Sequence, residues 1–116
     1  MYKRPETRSV VIAINESLSG AFSIGDYMKL SILTPSAWTA ADLTFQGCAT
    51  LDGTFVDIYN SDDAELNVDA AASRGVGLTS AETDILGGFQ FLKIRSGTAA
   101  TPVNQAAART ITVVLK

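Results

Sequence analysis

The sequence predicts an all-β domain, an antiparallel β-sandwich of about seven or eight short strands. Short runs of alternating or β-branched apolar residues recur along the chain and are separated by turn signals. No segment keeps the apolar period of an amphipathic helix. The length of 116 residues is typical of one domain, and 47% of the residues are hydrophobic, which is enough to fill a core. Whether some of that apolar surface is instead covered by other subunits stays open.

The first eight residues are interpreted as an extended N-terminal arm, and residues 9–116 as the single sandwich domain. Pro5 and the polar character of residues 1–8 disfavour a helix there. The first strand is predicted at residues 9–14, where β-branched side chains dominate. A loop rich in Ser and Gly follows at residues 15–25.

The clearest signal in the chain is a β-hairpin. Residues 43–48 and 55–60 both alternate in polarity, and Asp52-Gly53 lies between them. An Asp-Gly pair between alternating runs is typical of a tight hairpin turn, because Gly accepts a positive φ. The other strands are predicted at residues 28–33, 66–68, 74–78, 90–95 and 109–115, with connections at 79–88 and 96–108.

Charge is distributed unevenly along the chain, whose net charge is −3. Bases are concentrated in the arm, at Lys3, Arg4 and Arg8, and again towards the end of the chain. The middle is acidic and holds Asp52, Asp57, Asp62, Asp63, Glu65 and Asp69. Two arrangements fit this pattern: the zones pair within one molecule, or the basic surface of one subunit meets the acidic surface of another.

The residue inventory argues against catalysis. The chain has no His, which excludes Ser-His and Cys-His catalytic pairs and His-containing metal sites. Cys48 is the single cysteine, and we expect it to be a buried apolar side chain rather than a reactive thiol. We therefore predict a non-enzymatic protein that carries no cofactor.

Other ligand classes receive weak signals. The acidic net charge and the lack of a basic stripe argue against nucleic-acid binding, and no apolar run is long enough to span a membrane. Carboxylates at Asp62, Asp63, Glu65 and Asp69 offer oxygens to calcium, but without the spacing of a calcium loop; a solvated acidic turn explains them better. Trp38 and Tyr59 form a sugar-stacking platform if their rings are exposed; otherwise Trp38 closes one end of the core.

Two resemblances add to this interpretation. The hairpin Leu-Thr-Phe-Gln at 43–46 and Leu-Asp-Gly-Thr-Phe at 51–55, with the late strand Phe-Leu-Lys-Ile-Arg at 91–95, is similar to a pattern in discoidin-like and other galactose-binding-like sandwiches. The segment from Phe91 to Ala107, with Arg-Thr-Ile-Thr-Val at 109–113, resembles the C-terminal part of small virion proteins of tailed phages. The second resemblance implies a jelly-roll-like sandwich that decorates a capsid or belongs to a fibre.

The sequence thus favours a capsid decoration (cement) protein of a phage particle. The expected partner is the major capsid protein, the expected assembly is a homotrimer, and the expected location is the capsid surface of virions assembled in the host cytoplasm. The expected contact residues are Lys3, Arg4, Arg8, Asp62, Asp63 and Glu65. The alternative is a carbohydrate-binding module of a head or tail fibre, with Trp38 and Tyr59 stacking on sugar rings.

Overall fold

Two four-stranded antiparallel sheets pack face to face in the computed structural model, which describes residues 4–50 and 52–116. The strands and the one described helix are β1 (Glu6–Ile12), β2 (Phe22–Ser23), β3 (Leu30–Leu33), β4 (Leu43–Cys48), β5 (Val56–Asp57), β6 (Gly75–Val76), α1 (Ser80–Leu86), β7 (Phe91–Ser96) and β8 (Arg109–Leu115). Sheet A has the order β1-β8-β3-β6, and sheet B has the order β2-β7-β4-β5. The predicted all-β sandwich is confirmed.

The strand order is jelly-roll-like. β1 pairs with β8, β2 with β7, β3 with β6 and β4 with β5, all antiparallel. These are the pairings of one long hairpin whose tip is the β4–β5 connection. Rolling that hairpin up adds the β3–β8 and β4–β7 pairs and divides the strands between two sheets.

The core lies between the sheets and follows from strand alternation. Ile12, Ile111 and Val113 of sheet A and Phe45 and Ile94 of sheet B have no exposed surface. Because side chains alternate along a strand, the intervening residues point away from the core and form an outer face on each sheet. Burial of each large apolar side chain contributes about 1.5–3 kcal/mol.

Strand β1 begins earlier than the sequence predicted. Glu6 and Arg8, assigned to the arm, lie in β1 opposite Leu115 and Val113 of β8. Polar residues are tolerated in this part of β1 because β1 is an edge strand, and β8 pairs with it along its full length. The extended part of the N-terminus therefore ends before Glu6, and residues 1–3 lie outside the described part of the chain.

Two further segments differ from the prediction. Phe22 and Ser23 form β2 within the expected loop, where Phe22 is buried against the core. Residues 66–68 form no strand; Val68 instead makes an isolated bridge, and its backbone exchanges two hydrogen bonds of 2.9 Å with Leu43. Segments this short carry too little alternation to be recognised from sequence.

The expected connection at residues 79–88 contains helix α1. Thr79 caps it: the Thr79 hydroxyl accepts from the Glu82 backbone N–H at 3.2 Å, and the Glu82 carboxylate accepts from the Thr79 N–H at 2.8 Å. Gly87 ends it, where a side chain would lie 2.9 Å from the Met28 carbonyl. Among the described residues, no helix is long and apolar enough to cross a lipid bilayer.

The predicted β4–β5 hairpin is present, but its glycine has another role. Gly53 is not among the residues with a positive φ. A Cβ at Gly53 would lie 2.5 Å from the Cys48 sulfur and 2.9 Å from the Thr50 hydroxyl. Glycine is required there because the turn folds closely over Cys48, which is buried as predicted.

Candidate interaction surfaces

A network of paired charges occupies the outer face of sheet B. Arg95 of β7 lies opposite Thr44 of β4 and is only 7% exposed. Its Nη2 is 2.6 Å from Oδ1 of Asp57 and 3.0 Å from Oε2 of Glu65. Its Nε donates to the Thr44 hydroxyl at 3.0 Å. One guanidinium thus joins β4, β5, β7 and the turn that follows β5.

Both carboxylates of this network are also held by other donors. The Gln46 amide donates to Asp57 at 3.1 Å, and the Ala99 N–H donates to Glu65. The hydrogen bond from Arg95 is the main cause that lowers the pKa of Asp57, against the opposing effect of burial. Glu65 was predicted as a partner contact, but its charge is used within the molecule. For Asp57 and Glu65, the acidic middle pairs with the later basic segment of the same chain.

The predicted basic contact residues are divided by the fold. Arg4 is exposed and lies before β1. Arg8 is half-buried in β1, its Nε donates to the Ser23 carbonyl at 3.1 Å, and its Nη1 lies 3.6 Å from Glu6. Lys3 lies outside the described residues. Arg8 therefore fastens β1 to β2 and does not belong to an extended arm.

Asp62 and Asp63 lie at the tip of an exposed turn between β5 and β6. The side-chain oxygen of Asn60 accepts from the N–H groups of Asp62 and Ala64 at 2.9 and 3.1 Å. Backbone bonds from Asp63 to Asn60 and between Asn60 and Ala64 close the turn. Neither aspartate forms an ion pair with another described residue. The hydrogen-bonded turn thus presents two exposed carboxylates.

No grouping of acidic side chains suitable for a metal ion exists within residues 4–50 and 52–116. The carboxylates considered for calcium are divided, since Glu65 belongs to the Arg95 network while Asp62 and Asp63 occupy the exposed turn. The structure thus offers no converging oxygens from these residues.

The two aromatic residues of the sugar-stacking alternative lie on different connections. Trp38 follows β3, packs against the core and donates its indole N–H to the Ala41 carbonyl at 3.2 Å. Tyr59 follows β5 and is 51% exposed. Trp38 is thus partly buried against the core, and of the two aromatic residues Tyr59 has the more open ring.

The outer face of sheet A contains no charged side chain within its strands. It consists of Thr7, Ser9 and Val11 of β1, Thr110, Thr112 and Val114 of β8, Ser31 and Leu33 of β3, and Gly75 of β6. Val11 and Leu33 are 47% and 46% exposed. Hydroxyls and β-branched methyls cover the rest. We call these residues the uncharged face; the sequence showed its alternation but not that the strands assemble into one surface.

A pocket of about 300 Å³ lies where the uncharged face ends. Lys29, Leu30, Ser31, Val114 and Lys116 line it from β3, β8 and their ends, and Gly77, Leu78, Ser80 and Thr83 line it from α1 and the segment before it. Lys29 and Lys116 are backbone partners through two hydrogen bonds of 2.9 Å. Neither lysine has an acidic partner among the described residues. We call this the lysine pocket.

Sequence comparison gives no relative: no protein-family model and no curated protein matches the chain. A structural match is found with the SPBc2 prophage-derived protein YomS, at a TM-score of 0.54 and 13% sequence identity. The match covers 99% of this chain and 96% of YomS, so the two folds agree from end to end. At this identity the likeness shows a shared fold. The galactose-binding-like resemblance stays a prediction.

Proposed function

We propose that this protein is a non-enzymatic structural component of a phage particle, and that it decorates the capsid. The uncharged face carries the proposal. It is largely exposed and free of ionic groups, so a partner covers it without removing charges from water. Val11 and Leu33 expose apolar surface among hydroxyl groups, and a surface that mixes apolar and uncharged polar groups suits a protein partner.

The lengths of the edge strands also favour sheet A as the side of the molecule that binds a partner. Three edge strands, β2, β5 and β6, have two residues each, while the fourth edge, β1 in sheet A, has seven. A long edge strand promotes pairing with other chains. The loop after β1 covers part of this edge, where the Gly20 N–H donates to the Val11 carbonyl at 3.3 Å. Contact with a larger assembly on the side of sheet A covers both the edge and the uncharged face.

The fold comparison supports the phage context, because the structural neighbour is described as prophage-derived. In this proposal the uncharged face lies on the major capsid protein, and the copies associate, with a trimer favoured. Lys3 and Arg4, which precede β1 in the sequence, are proposed to contact an adjacent capsid subunit. Many weak contacts add through multivalency, so the shell is stabilised without any strong single contact. The protein then resides on the capsid surface of the virion.

The proposal is tested by measuring occupancy, which is the number of copies of this protein bound to each purified capsid. Val11→Lys and Leu33→Lys each place a charge on the uncharged face, and we expect each to lower occupancy by at least about tenfold. Val56→Lys is the matched control, because Val56 is 54% exposed but belongs to sheet B. Quantitative mass spectrometry of sedimented capsids gives the copy number. Equal occupancy for all variants contradicts the proposal.

The contribution of the arm is measured separately. Removing residues 1–5 leaves β1 intact, because the strand begins at Glu6. We expect a smaller loss of occupancy than for Leu33→Lys, since the arm adds exposed charge contacts of modest strength. If the variant without residues 1–5 has unchanged occupancy, the arm does not contribute to capsid binding, and the uncharged face alone makes the contact.

The carbohydrate-binding alternative retains one supporting observation, the exposed ring of Tyr59. Flat aromatic rings stack on the apolar faces of sugars. We expect Tyr59→Ala to abolish binding to every arrayed glycan that binds the wild-type protein. We expect Trp38→Phe to leave that binding unchanged. Absence of glycan binding by the wild type rejects this alternative.

A further inference from the structure

The lysine pocket adjoins the uncharged face and shares Ser31 and Val114 with it, but its two lysines have no role in the proposed capsid contact. Lys29 of the segment before β3 and Lys116 after β8 are adjacent across the sheet. Like charges directly opposite one another on neighbouring strands destabilise a sheet. No described acidic side chain lines the pocket or forms an ion pair with either lysine. The pocket therefore holds two ammonium groups that no described acidic side chain pairs with.

Further donors in the pocket suit an anionic guest. Ser31 and Ser80 line it, and their hydroxyls make no hydrogen bond with any described residue. The Thr83 hydroxyl accepts from the Leu30 backbone N–H at 3.1 Å, which fixes the wall of α1 against β3. The main-chain oxygen of Lys116 already accepts from the N–H groups of Met28 and Lys29 at 2.9 Å. Two ammonium groups and two hydroxyls thus remain for a guest with carboxylate oxygens.

The same chain presents a guest of this chemistry. Asp62 and Asp63 form the exposed tip held by Asn60, and neither has an ionic partner among the described residues. A turn that is ordered before binding loses little conformational entropy when it docks. Two carboxylates on one side and two ammonium groups on the other give balanced charge.

We propose that the lysine pocket of one copy binds the Asp62–Asp63 turn of a second copy. The contact closes as a two-fold dimer when each copy places its turn in the pocket of the other, and otherwise continues head to tail as a ring or an open chain. Each exposed ion pair changes an equilibrium constant by about tenfold or less, so the contact is weak in dilute solution and weakens with salt. It needs no capsid, so its failure leaves the capsid proposal standing.

Charge reversal in the isolated full chain tests the contact. Lys29→Glu reverses one of the two lysine charges of the pocket, and Asp62→Lys reverses one of the two charges of the turn at a position without a positive φ. Sedimentation velocity from micromolar to millimolar protein measures association. We expect each single variant to weaken association by up to about tenfold and the Lys29→Glu/Asp62→Lys double variant to restore it. Added salt is expected to weaken association of the wild type and of the double variant.

Matched controls separate this contact from a general charge effect. Arg4→Glu and Glu16→Lys change exposed charges by the same amounts outside the pocket and the turn. We expect both to associate like the wild type, and circular dichroism establishes that every variant is folded. A wild type that stays monomeric at millimolar concentration overturns the proposal. Loss with Lys29→Glu but none with Asp62→Lys overturns it too, since the pocket then binds another acidic segment.

Discussion

The outer faces of the two sheets differ in how they satisfy their polar groups. On sheet B, Arg95 pairs with both Asp57 and Glu65, and Gln46 and Thr44 add hydrogen bonds to the same network. On sheet A, the uncharged face has no ionic group, and its lysines are gathered at one end without acidic partners among the described residues. We call the outer face of sheet B the closed face, because its charges are paired within the molecule. We call the uncharged face the open face, because it has no such pairs.

The difference indicates which side of a small sandwich is available to partners. Covering sheet B would desolvate charges that already have good partners, and a new partner offers them little in return. Covering the uncharged face removes methyl groups and hydroxyls from water at low electrostatic cost. The open face is therefore the better interface, although the closed face has the more conspicuous chemistry.

The largest effect is expected where the closed face depends on one residue. Arg95→Met keeps the volume of the side chain but leaves Asp57 and Glu65 without their cation. Breaking a buried ion pair costs about 3–5 kcal/mol, and because Asp57 is partly exposed we expect a loss of about 2–4 kcal/mol. Equilibrium unfolding in urea measures the free energy of unfolding.

Lys93→Met is the control for this experiment. Lys93 lies on the same strand and face, but its ammonium lies only over the Phe55 ring, 4.5 Å from its centre. We expect a loss of about 0.5–1 kcal/mol. If Arg95→Met costs no more than Lys93→Met, the closed face does not depend on the paired charges.

A smaller effect is expected at the hairpin that borders the closed face. Gly53→Ala introduces a Cβ that meets the Cys48 sulfur, and overpacking of this kind costs about 1–3 kcal/mol. Gly20→Ala is the control, because no atom lies within 4 Å of a Cβ at Gly20. Adding Cys48→Ala to Gly53→Ala is expected to recover part of the loss. Equal thermal stability of the two glycine variants would show that the turn does not press on Cys48.

The smallest effect concerns pH. The hydrogen bond from Arg95 lowers the pKa of Asp57 in the folded protein below its ordinary value of 3.8. Protons therefore bind the unfolded chain more tightly, so this contribution to stability is complete above that value and is lost as the pH falls below it. The difference in unfolding free energy between wild type and Asp57→Asn is expected to shrink on acidification below about pH 4. A difference that is constant with pH contradicts the assignment.

The sequence predicted the elements with the strongest alternation. The bounds of β4 and β8 agree with their predicted ranges, because both strands are long and central in their sheets. β2 has two residues, which is too short for a visible period. Helix α1 was also too short, but the Thr79 and Glu82 spacing of its capping box was a readable signal.

The surfaces were less predictable, because they depend on register. Asp62 and Asp63 were expected in a polar turn, and the structure has them there. Lys29 and Lys116 come from distant parts of the chain and meet only because β3 pairs with β8. Glu65 resembled the exposed acids around it, and only the position of Arg95 on the facing strand showed that its charge is used internally.

Hydroxyl-radical footprinting of the free protein and of assembled particles tests the central claim most directly, because it reports which face a partner covers. If the uncharged face is the interface, oxidation of Val11 and Leu33 is expected to fall at least about fivefold on assembly. Tyr59 and Val56, exposed on the side of sheet B, are expected to react equally in both states. Protection of Tyr59 and Val56 with unchanged Val11 and Leu33 would contradict the account.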